Sequence, residues 1–296
     1  MIADACSRPS FRPPDTNVRP RRTRRIRTDS EPLFPGSRIQ SMTRSTGLGL
    51  LVLLSSLLAA GAAPAANEPG IDRDHVWIMV SRNAPERAAL TRAGFQIAPE
   101  VYRHDGQGTA SISVELDNGY IELMWPDPTI PVAPGLERAA EKFRQRSQWR
   151  TSGWCPFGVG FRRTTATRSS SEPLPFPIWT WTAEWMPKGT VMEMLTPRDD
   201  TRSPALFIEP PALADPAEQA KRGALYHHPI GARRLTAIRL TSPKAYEPIA
   251  ALKYLQGKNL LSVGRGDQWL LELTLDGGAR KGSKDLRPDL PVVIRY

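Results

Sequence analysis

Most of the chemistry open to this sequence rests on its four histidines, His75, His104, His227 and His228, and on the strand-borne carboxylates Glu122 and Glu209. Glu122 lies in the run Tyr120 to Trp125 (YIELMW), opposite in phase to Ile121 and Leu123. A carboxylate in the middle of an apolar strand needs a metal, a cation or water beside it. It is therefore a candidate ligand or general base, with a salt bridge to an arginine as the plain alternative. His75 follows Asp74 in DHVWIMVS and fits a metal ligand, a ligand-binding group or a hydrogen-bonded histidine at a strand edge. His104 opens the turn His104-Asp-Gly-Gln-Gly-Thr109. There Gly106, Gly108 and Thr109 either offer backbone N–H groups to an anionic substrate or simply connect two strands. His227 and His228 precede Pro229 and Gly231, and a surface or capping place is favoured over a second metal or acid–base element. Cys155 reads as a buried, inert thiol. The other cysteine, Cys6, falls in the leader, so the mature region has no internal disulfide.

These residues need elements to position them. Asp74 to Ser81 read as a strand whose faces are Val76, Ile78, Val80 and His75, Trp77, Met79. Asn83 and Glu86 have the spacing of a capping box for a helix that stops at Gly94. Phe95 to Tyr102 and Ala110 to Leu116 follow as strands. Asp117-Asn118-Gly119 is a hairpin signal leading into the Glu122 strand. A second pass has a charged amphipathic helix over Leu136 to Trp149, then Phe157 to Arg163 (FGVGFRR), Ile178 to Met186 and Ala205 to Glu209, closed by Pro210 and Pro211. Trp179, Trp181 and Trp185 form a stripe that lines a binding cup or packs under a helix; alternation alone does not choose. The Arg162–Arg163 and Arg233–Arg234 pairs read as solvated. A third pass runs through Leu235 to Leu240, a helix near Tyr246 to Leu255, Asn259 to Val263, Trp269 to Leu275 and Leu290 to Arg295. The repetition is one of pattern, not of residue identity.

The formal charge of +10 invites a nucleic-acid reading, but ten of the forty basic residues and only four of the thirty acidic ones lie in residues 1–66. The remainder carries +4, weak support for an anionic ligand and poor support for DNA. Residues 1–41 are Arg- and Pro-rich and cannot bury a core. Met42, Arg44, the apolar stretch Gly47 to Ala60 and Ala63-Pro64-Ala65 make the three parts of a signal peptide over 42–66. The expectation is that translation starts at Met42 and that the mature part, 67–296, is periplasmic or secreted. The alternative is a cytoplasmic tail on a signal-anchored protein. The sequence has no Walker loop, dinucleotide fingerprint, zinc-finger spacing or Ser-His-Asp order.

The segments DHVWIMV and AGFQIAPEVYRHDGQGTASISVELDNGYIELMW resemble the glyoxalase-like domain, a branch of the vicinal-oxygen-chelate superfamily. The features are Asp-His on the first strand, Gly-Phe after the helix, His-x-Gly-x-Gly-Thr in the turn and Ile-Glu-Leu on the fourth strand. The likeness is good over 72–127 and faint afterwards. Tyr226-His227-His228-Pro229-Ile230-Gly231 and Arg287-Pro288-Asp289-Leu290-Pro291 are similar to later segments of that branch. The resemblance implies an α+β fold in which βαβββ modules (about 72–127, 136–211 and 226–296) form a cupped mixed sheet with helices on the convex side. It also implies a divalent metal in the cup (Zn, Ni, Mn or Fe), held by His75, Glu122 and Glu209, the last at the fourth-strand position of the second module. Glu122 then doubles as the catalytic group, with His104, Gly108, Thr109 and Tyr120 near the ligand. Two positions depart from the pattern. Phe157 or Gly158 stands where the second module's first ligand is expected, and Ser111 replaces a frequent Asn.

The implied function is a metal-dependent lyase, isomerase or dioxygenase-like enzyme for a small oxygenated molecule. A metal-free protein that sequesters a small ligand is the alternative. The partners expected are that small molecule and, on such a scaffold, a second copy in a homodimer. Nucleic acid and a stable membrane span after signal cleavage are not expected.

Overall fold

The strand carrying His75 is buried on both faces, and that determines how everything else is arranged. The computed structural model describes residues 70–163, 173–210 and 223–296. The leader, the signal peptide, the loop at 164–172 and Pro211 lie outside those residues.

Strand β1 (Ile71–Met79) leads to helix α1 (Arg87–Arg92), then β2 (Tyr102–His104), β3 (Thr109–Leu116) and β4 (Gly119–Pro126). After α2 (Glu137–Ser147) and the single turn α3 (Trp149–Ser152) come β5 (Phe157–Arg163), β6 (Trp179–Trp181), β7 (Met192–Met194) and β8 (Ala205–Glu209). These eight strands form one sheet in the order β2-β3-β4-β1-β5-β8-β7-β6. Each half has its first strand parallel to its fourth, β1 to β4 and β5 to β8. The halves join through the antiparallel pair β1–β5. That is a curled sheet made from two related modules, as the α+β resemblance implies.

The remaining strands are β9 (Leu235–Pro243), β10 (Ser262–Gly266), β11 (Leu270–Leu275), β12 (Ser283–Asp285) and β13 (Val292–Arg295), with α4 (Ala250–Gly257) between β9 and β10. They make a separate five-stranded sheet, β10-β9-β11-β13-β12. Here the first strand lies parallel to the second across α4, so the third pass does not repeat the module. Its pattern matches because an amphipathic strand and helix look alike in either topology.

The first sheet's outer face and the second sheet share one core: Val76, Ile78, Ile112, Ile121 and Leu123 gather with Leu90 and Phe95 beside α1, and with Leu240, Leu271 and Ile294. Each such side chain stabilises the fold by about 1.5–3 kcal/mol. The Asp117–Asn118 hairpin tip helps fix the junction. Asn118 Nδ2 donates to the Leu235 carbonyl and its Oδ1 accepts the Leu235 N–H, both at 2.8 Å. Helix α1 lies on this convex side as expected. Helix α2 does not: Phe143 packs edge-on against Trp77 in the cup, with ring centroids 6.2 Å apart.

Local details also differ. No capping box forms, because Asn83 and Ala84 turn through left-handed conformations (φ 63° and 47°) and the helix starts only at Arg87. Glu86 instead accepts from the Ser81 N–H at 3.1 Å and its hydroxyl at 2.7 Å. Gly94, at φ 95°, ends α1 as read from sequence.

His228 is buried and structural. Its Nδ1 accepts the Gln96 N–H at 3.1 Å and its Nε2–H donates to the Glu115 carbonyl at 2.7 Å, tying the 223–231 segment to the first module. His227 is exposed. Burial pushes the His228 pKa below its ordinary 6.5. The unfolded chain therefore takes up the proton first, and stability falls as pH drops below about 6.5. His228→Ala is expected to cost about 2 kcal/mol at pH 7.5 and to flatten that acid slope, as read by denaturant melts at several pH values. An unchanged slope would mean that His228 does not contribute to it.

Candidate functional site

Period-two geometry sends His75 and Trp77 from β1, Ser111, Ser113 and Glu115 from β3, and Tyr120, Glu122 and Met124 from β4 to the concave face. With Phe207 and Glu209 from β8 they line a cavity of about 750 Å³, walled on another side by α2. Trp179, Trp181 and Trp185 line it as well, which settles the stripe's direction. The cup's apolar part is Trp77, Met79, Met124, Met186, Met192 and Phe207. Strand β7, which supplies Met192 and Met194, has too short a run to stand out in the sequence.

The polar part is built around His75. Its Nδ1–H donates to Asp74 Oδ2 at 2.8 Å, and because a carboxylate only accepts, this bond fixes the tautomer with the lone pair on Nε2. Asp74 is fully buried, and its other oxygen is held by Arg162. Glu209 Oε1 lies 3.8 Å from His75 Nδ1. The ligand atoms of Asp74, His75 and Glu209 all fall within 4.8 Å of one another. The His75 ring stacks on Tyr120 with centroids 4.2 Å apart and planes 9° apart. Glu122, 7% exposed, is not in that tight group; its Oε1 sits 3.5 Å from His104 Nε2. Burial lowers the His104 pKa against the opposing pull of Glu122, which keeps the ring neutral. Burial raises the Glu209 carboxyl, and His75 and Arg162 counter it.

Register explains the missing ligand. His75 is the partner of Tyr120, two residues before Glu122. In the second half Gly160 is the partner of Phe207, two residues before Glu209. The position equivalent to His75 is thus Gly160, rather than Phe157 or Gly158, and it too offers no donor. Its bareness has a use: a Cβ at 160 would sit 2.8 Å from Cε1 of the His75 ring. The imidazole occupies the space a second ligand would take.

Of the residues expected near a ligand, His104 and Tyr120 line the cavity, and Gly108 and Thr109 do not. Thr109 is fully buried beneath His104, its Oγ1 2.9 Å from His104 Nδ1 and 2.8 Å from Gln107 Nε2. Gly108 packs on Val132, which a Cβ there would approach to 2.8 Å. The turn's backbone is spent on strand pairing and on the 127–133 segment, where Gly106 and Gly108 carbonyls accept from Ala133 and Asp127. The hairpin positions His104, while Gly108 and Thr109 stay off the cavity wall. Asp74 and Arg162 were in view in the sequence without a role. Arg162 and Arg163 are half-buried and paired rather than freely solvated, Arg162 with Asp74 and Arg163 with Glu193 at 2.5 Å. Cys155 is fully buried, with its thiol pushed up to about 12 by desolvation, as an inert cysteine should be.

Paired modules around one cup, with a histidine on the first strand and a glutamate on each fourth strand, define the vicinal-oxygen-chelate class. A family model described as a glyoxalase-like domain matches residues 73–255, and the chain belongs to that family. The match extends the likeness well past 127 and ends before the Arg287–Pro291 segment. No curated protein matches the chain. Among solved structures, a hypothetical protein from Staphylococcus aureus is similar at TM-score 0.45 and 9% identity, with 76% of this chain and 98% of that one covered. No helix of the described residues is long and apolar enough to cross a membrane.

Proposed function

We propose that the chain is an exported, metal-dependent enzyme acting on a small oxygenated substrate in the cup. The observation that carries this reading is the buried Asp74–His75–Glu209 group, whose His75 and Glu209 line the cavity beside its Trp and Met side chains. The donors fit a divalent ion. Asp74 uses Nδ1 to orient the ring and leaves Nε2 free, the usual carboxylate–histidine arrangement behind a metal ligand. Asp74 is balanced by Arg162, and Glu209 and Glu122 supply the carboxylates that a cation would draw on. His75 through Nε2, and Glu209, which without an ion faces Nδ1 at 3.8 Å, would hold the ion, Asp74 would act through His75, and the bound ion would polarise a substrate carbonyl or enediolate oxygen.

The other steps belong to this chain's own side chains. Glu122, buried beside His104, serves as the general base, and the neutral His104 receives or returns the proton at Nε2. Trp181, Trp185 and Met192 exclude water from the reacting atoms.

Elemental analysis of the purified full chain, reconstituted in turn with Zn, Ni, Mn and Fe(II), is expected to give about one ion per chain. Glu122→Gln should keep that ion while turnover of a 2-oxoaldehyde or catechol-like substrate drops by about 10²-fold or more. A folded protein that takes up none of the four ions overturns the proposal. One observation favours a second reading in that event: glycine at the second module's ligand position suits a metal-free protein that sequesters an apolar ligand.

A further inference from the structure

The wall of the cavity contributed by α2 is basic. Arg138, Lys142 and Arg146 follow one another at four-residue spacing, which places them on one helix face, and all three line the cavity. They form a gradient from outside to inside: Arg138 is exposed, Lys142 is half-buried, and Arg146 is 4% exposed. Arg198 adds a fourth cation at the rim, over the face of Trp179 at 4.6 Å.

The innermost charge is the one that needs explaining. Arg146 Nη1 donates to the Cys155 carbonyl at 2.7 Å, and the guanidinium lies 6.0 Å from the centroid of Trp77. Among the described residues it has no ion pair, and neither does Lys142; Arg138 is paired with Asp199. Asp200 is the acidic influence on Arg146, and Asp199 ahead of Asp200 on Lys142; Asp199 is the ion-pair partner of Arg138, and the oxygens of Asp200 accept from the Arg202 N–H, the Ser203 N–H and the Ser203 hydroxyl. A buried cation without a counter-ion is costly, and like charges four residues apart on a helix repel. An anion in the cavity would relieve both.

We propose that the α2 wall binds the anionic group of the substrate, so that the molecule acted on is an apolar or aromatic acid carrying its reactive oxygen at the other end. This inference rests on the cup being the substrate site. In the metal-free protein the opposite pole carries the carboxylates Glu122 and Glu209, which disfavour an anion there and so set the direction in which the molecule lies. Trp77 stands between the poles, one pleat from His75, about 7 Å along the strand, and within reach of the Arg146 guanidinium. Its indole and the ring of Phe143 suit the body of the molecule.

The test uses full-length protein stripped of metal by chelation, so that its outcome does not depend on the ion. The probes are 3-phenylpropanoate and its neutral amide, titrated by calorimetry and by quenching of the cavity tryptophans. The carboxylate is expected to bind about 10-fold tighter than the amide. That preference should shrink at least 3-fold in Lys142→Met and vanish in Arg146→Met, with amide affinity unchanged. If Arg146→Met fails to fold by circular dichroism, the Lys142→Met result and loss of the preference with added salt carry the test. Equal binding of the two probes, no binding of either at millimolar concentration, or a preference that survives in folded Lys142→Met overturns the proposal. A protein that binds no metal but discriminates as expected would fail the metal reading alone.

Discussion

Replacing His75 by alanine is expected to weaken divalent-ion binding by about 100-fold or more, leaving the protein without bound metal after dialysis. The ring does three things at once in this structure. It faces Glu209, is oriented by Asp74 through a 2.8 Å hydrogen bond, and stacks on Tyr120. Alanine removes the ligand and the stacking together, so His75→Phe is the companion variant: it restores the packing and still lacks the donor. Asp74→Asn removes the orienting charge together with the ion pair to Arg162, and a loss of about 10-fold to 100-fold is expected from such a change. The ordering matters more than any single value. If His75→Phe, folded by circular dichroism, retains parent affinity in a chelator competition assay, the ion is held elsewhere and the site described above is wrong.

The second large effect is on stability. Gly158→Ala is expected to destabilise the protein by about 3 kcal/mol, measured by denaturant unfolding. Gly158 is the antiparallel partner of Trp77, and its missing side chain leaves the space in which that indole lies. A methyl group there overlaps the ring, and the backbone of a central strand cannot retreat. Trp77 must then turn into the cup, so its fluorescence should change along with the midpoint. The same argument at Gly160 bears on chemistry: the added Cβ presses on His75, and ion affinity should fall with less loss of stability. A Gly158→Ala protein within about 1 kcal/mol of the parent, with unchanged tryptophan emission, would show that the glycine is not needed to seat Trp77.

Much of the first module was readable along the chain. The two faces of β1, the alternation of β3 and the emergence of Glu122 into the cup follow from a two-residue period, the hairpin at Asp117–Asn118 from its turn residues, and all are seen. The bounds of β5 and β8 match the runs FGVGFRR and ALFIE. Phe95 to Tyr102 fared worse: only Tyr102–His104 forms a strand, while ahead of it Phe95 lies against His228 and bonds back to α1, and Ala98 makes a single backbone bond to Ser113 of β3. Strands β7 and β12 are three residues each, too short to show a period.

What the sequence determined by itself, then, is which residues alternate toward a common face, and with them the family and the pair His75 and Glu122 on that face. Tertiary structure decided which of those residues meet. Asp74 joined the site through Arg162, which comes from a strand 88 residues later. Glu122 went to His104, while Glu209 came to His75. Helix α2 turned its basic face into the cup, and the third pass adopted another topology. The physical reason is the same in each case. Side-chain direction along a strand or helix is set by local backbone geometry, whereas pairing partner, register and the side on which a helix docks are settled by contacts between segments far apart in the chain.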